Sequence, residues 1–232
     1  MVEPVGEQPY TGGNTKSMSV PRKDGVLIRR YARNGGLVAV PMDFKIEGRL
    51  VTLRPIVPAD IADYERWNNP ESKARQYDGP WYNEDLSKVI EGRKRRLSQD
   101  YGPPYHSLEI DTKEGRHIGW LNAYYSERDP HATEIGISIQ EDELWGKGMG
   151  TEAFSLWTDY LFKELDLTRI GFTTWQGNPG MLKVGVKLGF IEEARRRKSC
   201  FVRGEFYDRI SMGILHEEWE ARKKQDKGGN RL

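Results

Sequence analysis

The chain has little that could cross-link it or hold it in a bilayer. Cys200 is the only cysteine among 232 residues, which excludes an intrachain disulfide and a cysteine-based zinc cluster, and no metal is expected. Cys200 itself reads as a strand residue. No apolar run approaches the ~18 residues of a membrane span, and the N-terminal MVEPVGEQPY has no apolar signal-peptide core. A cytoplasmic protein with no membrane partner is expected. An excess of one charge is also missing. Lys and Arg number 36 against 35 Asp and Glu, a net charge of +1, so bulk charge gives no reason to expect nucleic acid as a partner. No internal repeat occurs. What is present is 31% charged and 37% hydrophobic residues, the balance of a globular protein with a well-solvated surface. The length suits one domain of about 170 residues with extensions.

Composition divides the chain into an N-terminal arm over 1–45, a domain over 46–219 and a charged tail over 220–232. The arm is rich in Gly and Pro, and Val26–Arg30 and Leu37–Val40 could pair as a hairpin about Asn34, Gly35 and Gly36. Within the domain, Leu50–Pro55 reads as a first strand, and Pro58, Ala59 and Asp60 open a helix carrying Ile61, Tyr64 and Trp67. A second helix is expected over 83–99 with Asn83 as its cap. Its run Arg93–Arg96, like Arg195–Lys198, reads as solvated surface. His106–Asp111 and His117–Tyr125 read as a hairpin, and the pieces together as one α/β domain with a mixed sheet flanked by helices.

The most informative stretch is Glu134–Thr151, EIGISIQEDELWGKGMGT. Ile135, Ile137 and Ile139 fall on one strand face and Glu134, Gly136 and Ser138 on the other. Gly146, Gly148 and Gly150 follow, then an amphipathic helix from about Thr151 to Leu165. Glycines let backbone N–H groups turn towards a ligand, and a helix start adds free donors and a positive dipole end, so this junction is an anion site. A Walker A loop is excluded because Lys147 is followed by Gly148 rather than Ser or Thr. A dinucleotide fingerprint fits poorly, since the spacing is GxGxG and Arg169–Trp175, the next strand, ends without a carboxylate.

Trp145, Gly146, Lys147, Gly148, Met149 and Gly150 resemble motif A of the GNAT N-acetyltransferase superfamily, Q/R-x-x-G-x-G/A, with Trp145 departing at the first position. Asn178 ahead of a short helix ending in Lys187, Leu188, Gly189 and Phe190 is similar to the family's later motif. Gly204, Phe206, Tyr207 and Asp208, with Ile210, Met212 and Ile214, resemble the closing strands of the subgroup that includes ribosomal-protein N-terminal and spermidine acetyltransferases. The resemblance covers residues 46–219. It implies an α+β fold with a mostly antiparallel sheet of about seven strands, splayed where CoA binds.

It also implies transfer of acetyl from acetyl-CoA to a primary amine, such as a polyamine, an aminoglycoside or a protein N-terminus, by direct attack in a monomer or homodimer. Glu134 is the candidate general base; the alternative is a strand-end carboxylate paired with an Arg or Lys. Backbone N–H groups of Ile137 and Ile139 would stabilise the developing oxyanion. The CoA pyrophosphate would lie over Lys147–Thr151, with Thr151 capping the helix, and Asn178 would contact the pantetheine or cap its own helix. The family's acidic tyrosine position holds Gly185, and the serine that replaces that tyrosine in some relatives matches Met181. Tyr124 and Tyr207 are the substitutes. Trp67, Tyr77, Trp81, Tyr82, Trp120, Tyr124 and Tyr125 are candidates for the acceptor mouth, and Glu141, Asp142 and Glu143 for attracting a cationic acceptor. Two other readings stand beside this one: a non-catalytic acyl-CoA-binding regulator, motivated by Gly185 and Met181, and a nucleotide-binding protein using the glycine loop.

Overall fold

A computed structural model of the chain describes residues 44–69, 72–77, 86–98, 105–126 and 129–228. The arm's hairpin, Trp81, Tyr82 and the Asn83 cap lie outside them. Among the described residues there are eight strands: β1 (Ile46–Glu47), β2 (Val51–Arg54), β3 (Ser107–Thr112), β4 (His117–Ser126), β5 (Asp129–Ile139), β6 (Arg169–Trp175), β7 (Ile191–Val202) and β8 (Glu205–Leu215). Five helices accompany them: α1 (Asp60–Trp67), α2 (Leu86–Ser98), α3 (Met149–Glu164), α4 (Pro179–Lys187) and α5 (His216–Gly228). The strands form a single sheet in the order β1-β2-β3-β4-β5-β6-β8-β7. Only β5 and β6 run parallel. The strand beyond the expected seven is the two-residue β1 at one edge.

Alternation along the strands sorts side chains into two layers. On one face Val51, Leu53, Leu108, Ile110, Leu121, Ile135, Ile170, Phe172 and Met212 are buried in the main core, packed with Phe154, Trp157 and Leu161 of α3. Each such large side chain contributes roughly 1.5–3 kcal/mol by leaving water. Trp219 of α5 joins this core, so 220–228, read from composition as part of a tail, continue a docked helix.

The opposite face, at the β2–β4 end, carries α1 and α2 over a polar centre. Tyr64 and Trp67 stack around Trp120 and His117. Arg93 is buried with its guanidinium over the Tyr64 and Trp120 rings at 4.4 and 4.7 Å. Arg96 donates to Ser107 Oγ at 2.8 Å. Two members of the run expected to be solvated therefore face inward. They stand three residues apart on one helical face, where aromatic rings take the place of water around Arg93 and polar acceptors around Arg96.

Beneath α1, Arg54 forks onto Asp60 and Asp111 with bonds of 2.6–2.8 Å. His117 lies between Asp63 and Glu109, each 3.1 Å away. Burial disfavours a charged imidazole, but the hydrogen bond to Glu109 and the charges of Glu109 and Asp60 outweigh it, and His117 is held above its ordinary value. Stability contributed by the imidazolium is present below the unfolded pKa of about 6.5 and lost as pH rises through the higher folded value. The chain will therefore lose stability on the alkaline side of about pH 6.5, and His117→Gln will flatten that slope. Urea unfolding across the range checks it; an unchanged slope in the variant would assign the effect to another group.

Candidate active site

β5 and β6 pair only at Ala132↔Arg169, Thr133↔Ile170 and Glu134↔Gly171. Beyond Glu134 they part, β5 remaining bonded to β4 and β6 to β8. The Gln140 N–H donates to the Ile118 carbonyl at 2.9 Å on the β4 side. Alternation along the strand then turns the N–H groups of Ile137 and Ile139 towards the gap. A wedge-shaped cleft with backbone donors on one wall results.

The cleft leads to the glycine turn. Gly146 and Gly148 have φ of 75° and 90°, the left-handed region that suits glycine, and a Cβ on Gly146 would meet nothing within 4 Å. Gly148 is the N-cap of α3, whose first intrahelical bond runs from the Glu152 N–H to the Gly148 carbonyl at 3.0 Å. The N–H groups of Met149, Gly150 and Thr151 precede that ladder and point out of the helix start. Thr151 does not cap the helix as expected. The left-handed turn at Gly148 starts the helix two residues earlier, which puts Thr151 inside its first turn. Lys147 is exposed on the turn. The open glycine backbone and the helix donors fit the phosphates of CoA, and the unpaired strand edge fits its pantetheine amides.

Glu152 was not legible as a site residue. Its carboxylate accepts the backbone N–H groups of Arg49, Leu50 and Val51 at 3.0, 2.6 and 2.9 Å, pinning the β1–β2 turn to the start of α3. These contacts span more than a hundred residues, and an acidic residue in a first helical turn signals only a favourable dipole.

A short turn, Lys73–Tyr77, crosses the mouth of the cleft. Lys73 pairs with Asp142, and the Tyr77 ring meets Trp145 edge-on at 5.7 Å, both on the β5 side. The Tyr77 carbonyl accepts the indole N–H of Trp175 at 2.8 Å and Asn178 Nδ2 at 3.3 Å on the β6 side. Trp145 also donates to the Ile139 carbonyl at 3.0 Å, which anchors the turn where the motif carries Gln or Arg. Asn178 Oδ1 accepts the Met181 N–H at 3.0 Å, so its side chain caps α4. The acidic loop is engaged internally. Glu141 is buried and accepts from Arg66, Trp67 and Arg116, and Glu143 pairs with Arg116.

Glu134, the last residue of β5 paired with β6, faces the cleft with Tyr124 opposite it on β4. Its Oε1 accepts from Arg169 Nη1 at 3.0 Å, and its Oε2 is enclosed without a hydrogen-bond partner. The strand-end ion pair is thus present, and it leaves one oxygen over. Burial raises the Glu134 pKa and only partly yields to Arg169, with Glu193 adding to the rise. Tyr124 is 59% exposed and lies over Gly136. Tyr207 is not brought to Glu134; its hydroxyl donates to Glu205 at 2.8 Å on the β7–β8 hairpin, where its ring packs on Trp175. That hydrogen bond also raises its pKa.

Gly185 is buried, and a Cβ there would come within 2.6 Å of Phe172 Cζ and 3.0 Å of Met212 Sδ. The glycine lets α4 settle on the sheet. Gly185→Ala will destabilise the fold by about 1–3 kcal/mol, read by thermal unfolding, and Gly185→Tyr will not raise the rate. Asp60, Asp63 and His117 bring metal-ligand atoms within 4.8 Å of one another. Both Asp60 oxygens are taken by Arg54, and one also by the Val57 N–H, so the group is an ion-pair centre.

A family model described as an acetyltransferase (GNAT) domain matches residues 50–191. The chain is similar to the SPbeta prophage-derived uncharacterized N-acetyltransferase YokL of Bacillus subtilis (strain 168), 24% identical over 173 residues, covering 75% of this chain and 94% of that protein. It is also similar to spermidine N(1)-acetyltransferase of Escherichia coli (strain K12), 25% identical over 178 residues, covering 75% and 90%. A solved structure of spermidine N-acetyltransferase from Vibrio cholerae in complex with CoA and spermine has a TM-score of 0.61 at 21% identity, covering 75% of this chain and 99% of that one.

Proposed function

The chain belongs to the GNAT acetyltransferase family and is an acetyl-CoA-dependent N-acetyltransferase; on that premise we propose that it acetylates a primary amine that reaches Glu134 over the open face of the cleft. The observation that carries this is the parting of β5 from β6 immediately beyond Glu134, with the glycine turn and the α3 start at the far end of the same wall. Acetyl-CoA supplies an acetyl thioester, whose transfer forms a C–N bond to the amine and releases the CoA thiol.

The protein's part follows from its groups. A primary amine is mostly protonated at neutral pH, with a pKa of about 10.4 if lysine-like and about 8 if an α-amino group. Glu134, its pKa raised by burial, takes a proton from the attacking nitrogen directly or through a water. The Ile137 and Ile139 N–H groups donate to the oxygen that gains charge. Lys147, the glycine turn and the first N–H groups of α3 hold the pyrophosphate. Of the two tyrosines considered for protonating the thiol, Tyr124 is the one on the Glu134 face.

The acceptor class is a cationic amine, a polyamine or aminoglycoside, or a protein N-terminus. Glu134 and Glu193 give the open face carboxylates, and the Escherichia coli relative is named for spermidine. No helix among the described residues is long and apolar enough to cross a membrane. CoA release from acetyl-CoA at about pH 8, with polyamines, aminoglycosides, amino acids and short peptides as acceptors, tests the reading. Acceptor-dependent release is expected. Bound acetyl-CoA with no transfer to any amine would favour a non-catalytic acyl-CoA-binding regulator.

A further inference from the structure

Arg169 stands between two carboxylates. It gives Nη1 to Glu134 and turns Nε and Nη2 to Glu193, with Nε 3.1 and 3.2 Å from the two Glu193 oxygens and Nη2 on Oε2. Glu193 belongs to β7, at the far edge of the sheet, with β8 between it and β6. A β-bulge brings it in: Glu192 pairs with Met212 and Ala194 with Ser211, leaving Glu193 as the extra residue.

Glycines clear the way across the sheet. Glu134, Gly171 and Gly213 are aligned by register across β5, β6 and β8. A Cβ on Gly171 would fall 2.5 Å from Glu134 Oε1 and against the Arg169 guanidinium, and one on Gly213 would strike the Glu193 carboxylate. The three charged side chains lie in a trench that exists because two strands carry no side chain there.

We propose that Glu193 is a positioning residue for acetyl transfer: by holding the Nε–Nη2 edge of Arg169 it fixes the guanidinium in the orientation in which Nη1 bonds Glu134 Oε1, and it keeps Glu134 Oε2 out of the ion pair. This rests on the reading of Glu134 as the base. The titratable and charged groups facing Glu134 are Tyr124 from β4, Arg169 from β6 and Glu193 from β7; β8 presents Gly213. Without Glu193 the guanidinium of Arg169 is free to turn its Nη1–Nη2 edge onto both Glu134 oxygens, the usual bidentate arrangement for this pair. A nearby negative charge is lost in the same step. Both changes favour ionised Glu134, lower its pKa and make it a weaker base.

Glu193→Gln tests this with two readouts. In acetyl transfer to whichever panel amine gives acceptor-dependent CoA release, the acid limb of the pH–rate profile will move to lower pH and the plateau rate will fall about tenfold, with the KM for acetyl-CoA unchanged. Glu193→Asp, which keeps the charge, will recover part of the rate and also serves if the glutamine variant folds poorly. Independently of any acceptor, carboxyl-carbon NMR of the glutamate-labelled protein, with Glu134 assigned by its loss in Glu134→Gln, will show the Glu134 titration moved down in Glu193→Gln. An unmoved titration and profile would overturn the positioning role while leaving Glu134 as base. Full activity in Glu134→Gln would overturn the base reading, and the positioning role with it.

Discussion

Glu134→Gln will lower kcat for amine acetylation by about 10²–10³-fold, the usual share of a positioned general base, and will abolish the acid limb of the pH–rate profile. The carboxylate is active when ionised, and burial sets its pKa above the ordinary carboxylate value against the pull of Arg169. The wild-type rate will therefore rise with pH through a value higher than that of a free glutamate. Acetyl-CoA affinity will be kept, because the phosphate turn lies beyond the C-terminal end of β5, past Ile139. The sign for stability is opposite. A carboxylate whose folded pKa is raised stabilises the fold below its unfolded pKa and loses that contribution as pH rises through the folded value. Glu134→Gln should thus be as stable as the parent at neutral pH or slightly more so, the usual relation between an active site and its fold. Chemical denaturation and the pH–rate profile of one preparation check both halves. Full activity across neutral pH would remove Glu134 from the chemistry.

Glu152→Ala will be the most damaging change outside the main core. It strips acceptors from three backbone N–H groups, and hydrogen bonds to a charged partner contribute about 1.5–3 kcal/mol each without adding fully. A net loss of about 3 kcal/mol is expected, which for a chain of this size lowers Tm by roughly 6–12 °C. Glu152→Gln keeps an acceptor oxygen and will lose less. A leucine or isoleucine core truncation supplies the comparison, and a Glu152→Ala loss within 0.5 kcal/mol, the ordinary range of a surface change, would show that water replaces the carboxylate without cost. Gly48 belongs to the same joint, because a Cβ there would meet Glu152 Oε2 at 2.7 Å.

What could be read in advance was local. The isoleucine alternation of β5 and the glycines after it state a strand and a glycine turn within eighteen residues, and both stand where expected, the turn through left-handed Gly146 and Gly148. The start of α3 was read two residues late because Gly148, rather than a hydroxyl, ends the loop. Arg93 and Arg96 looked solvated because a run of four cations carries no sign of which side of α2 meets the sheet. Arg169, Glu193 and the Lys73–Tyr77 turn were not legible as site parts. Each acts through partners brought near by strand order, and the bulge that delivers Glu193 leaves no mark in the residue pattern. Asn178 illustrates the remaining gap: its type suits both a ligand contact and a helix cap, and its Oδ1 caps α4.

The bulge at Glu193 has a second consequence, for solubility. Among the described residues β7 is an edge of the eight-stranded sheet, and a long flat edge invites another strand to add to it. Here the edge is interrupted twice, at Glu192/Ala194 and at Arg196/Cys200, where Lys198 has a φ of 51°. The cations Arg195, Arg196, Arg197 and Lys198 occupy the stretch around the second break. An incoming strand would find its ladder out of step within a few residues and like charges along its path. The distortion that brings the Glu193 carboxylate to Arg169 also breaks the edge at which another strand would add, so a sequence change that straightened β7 is expected to undo that contact and promote aggregation together.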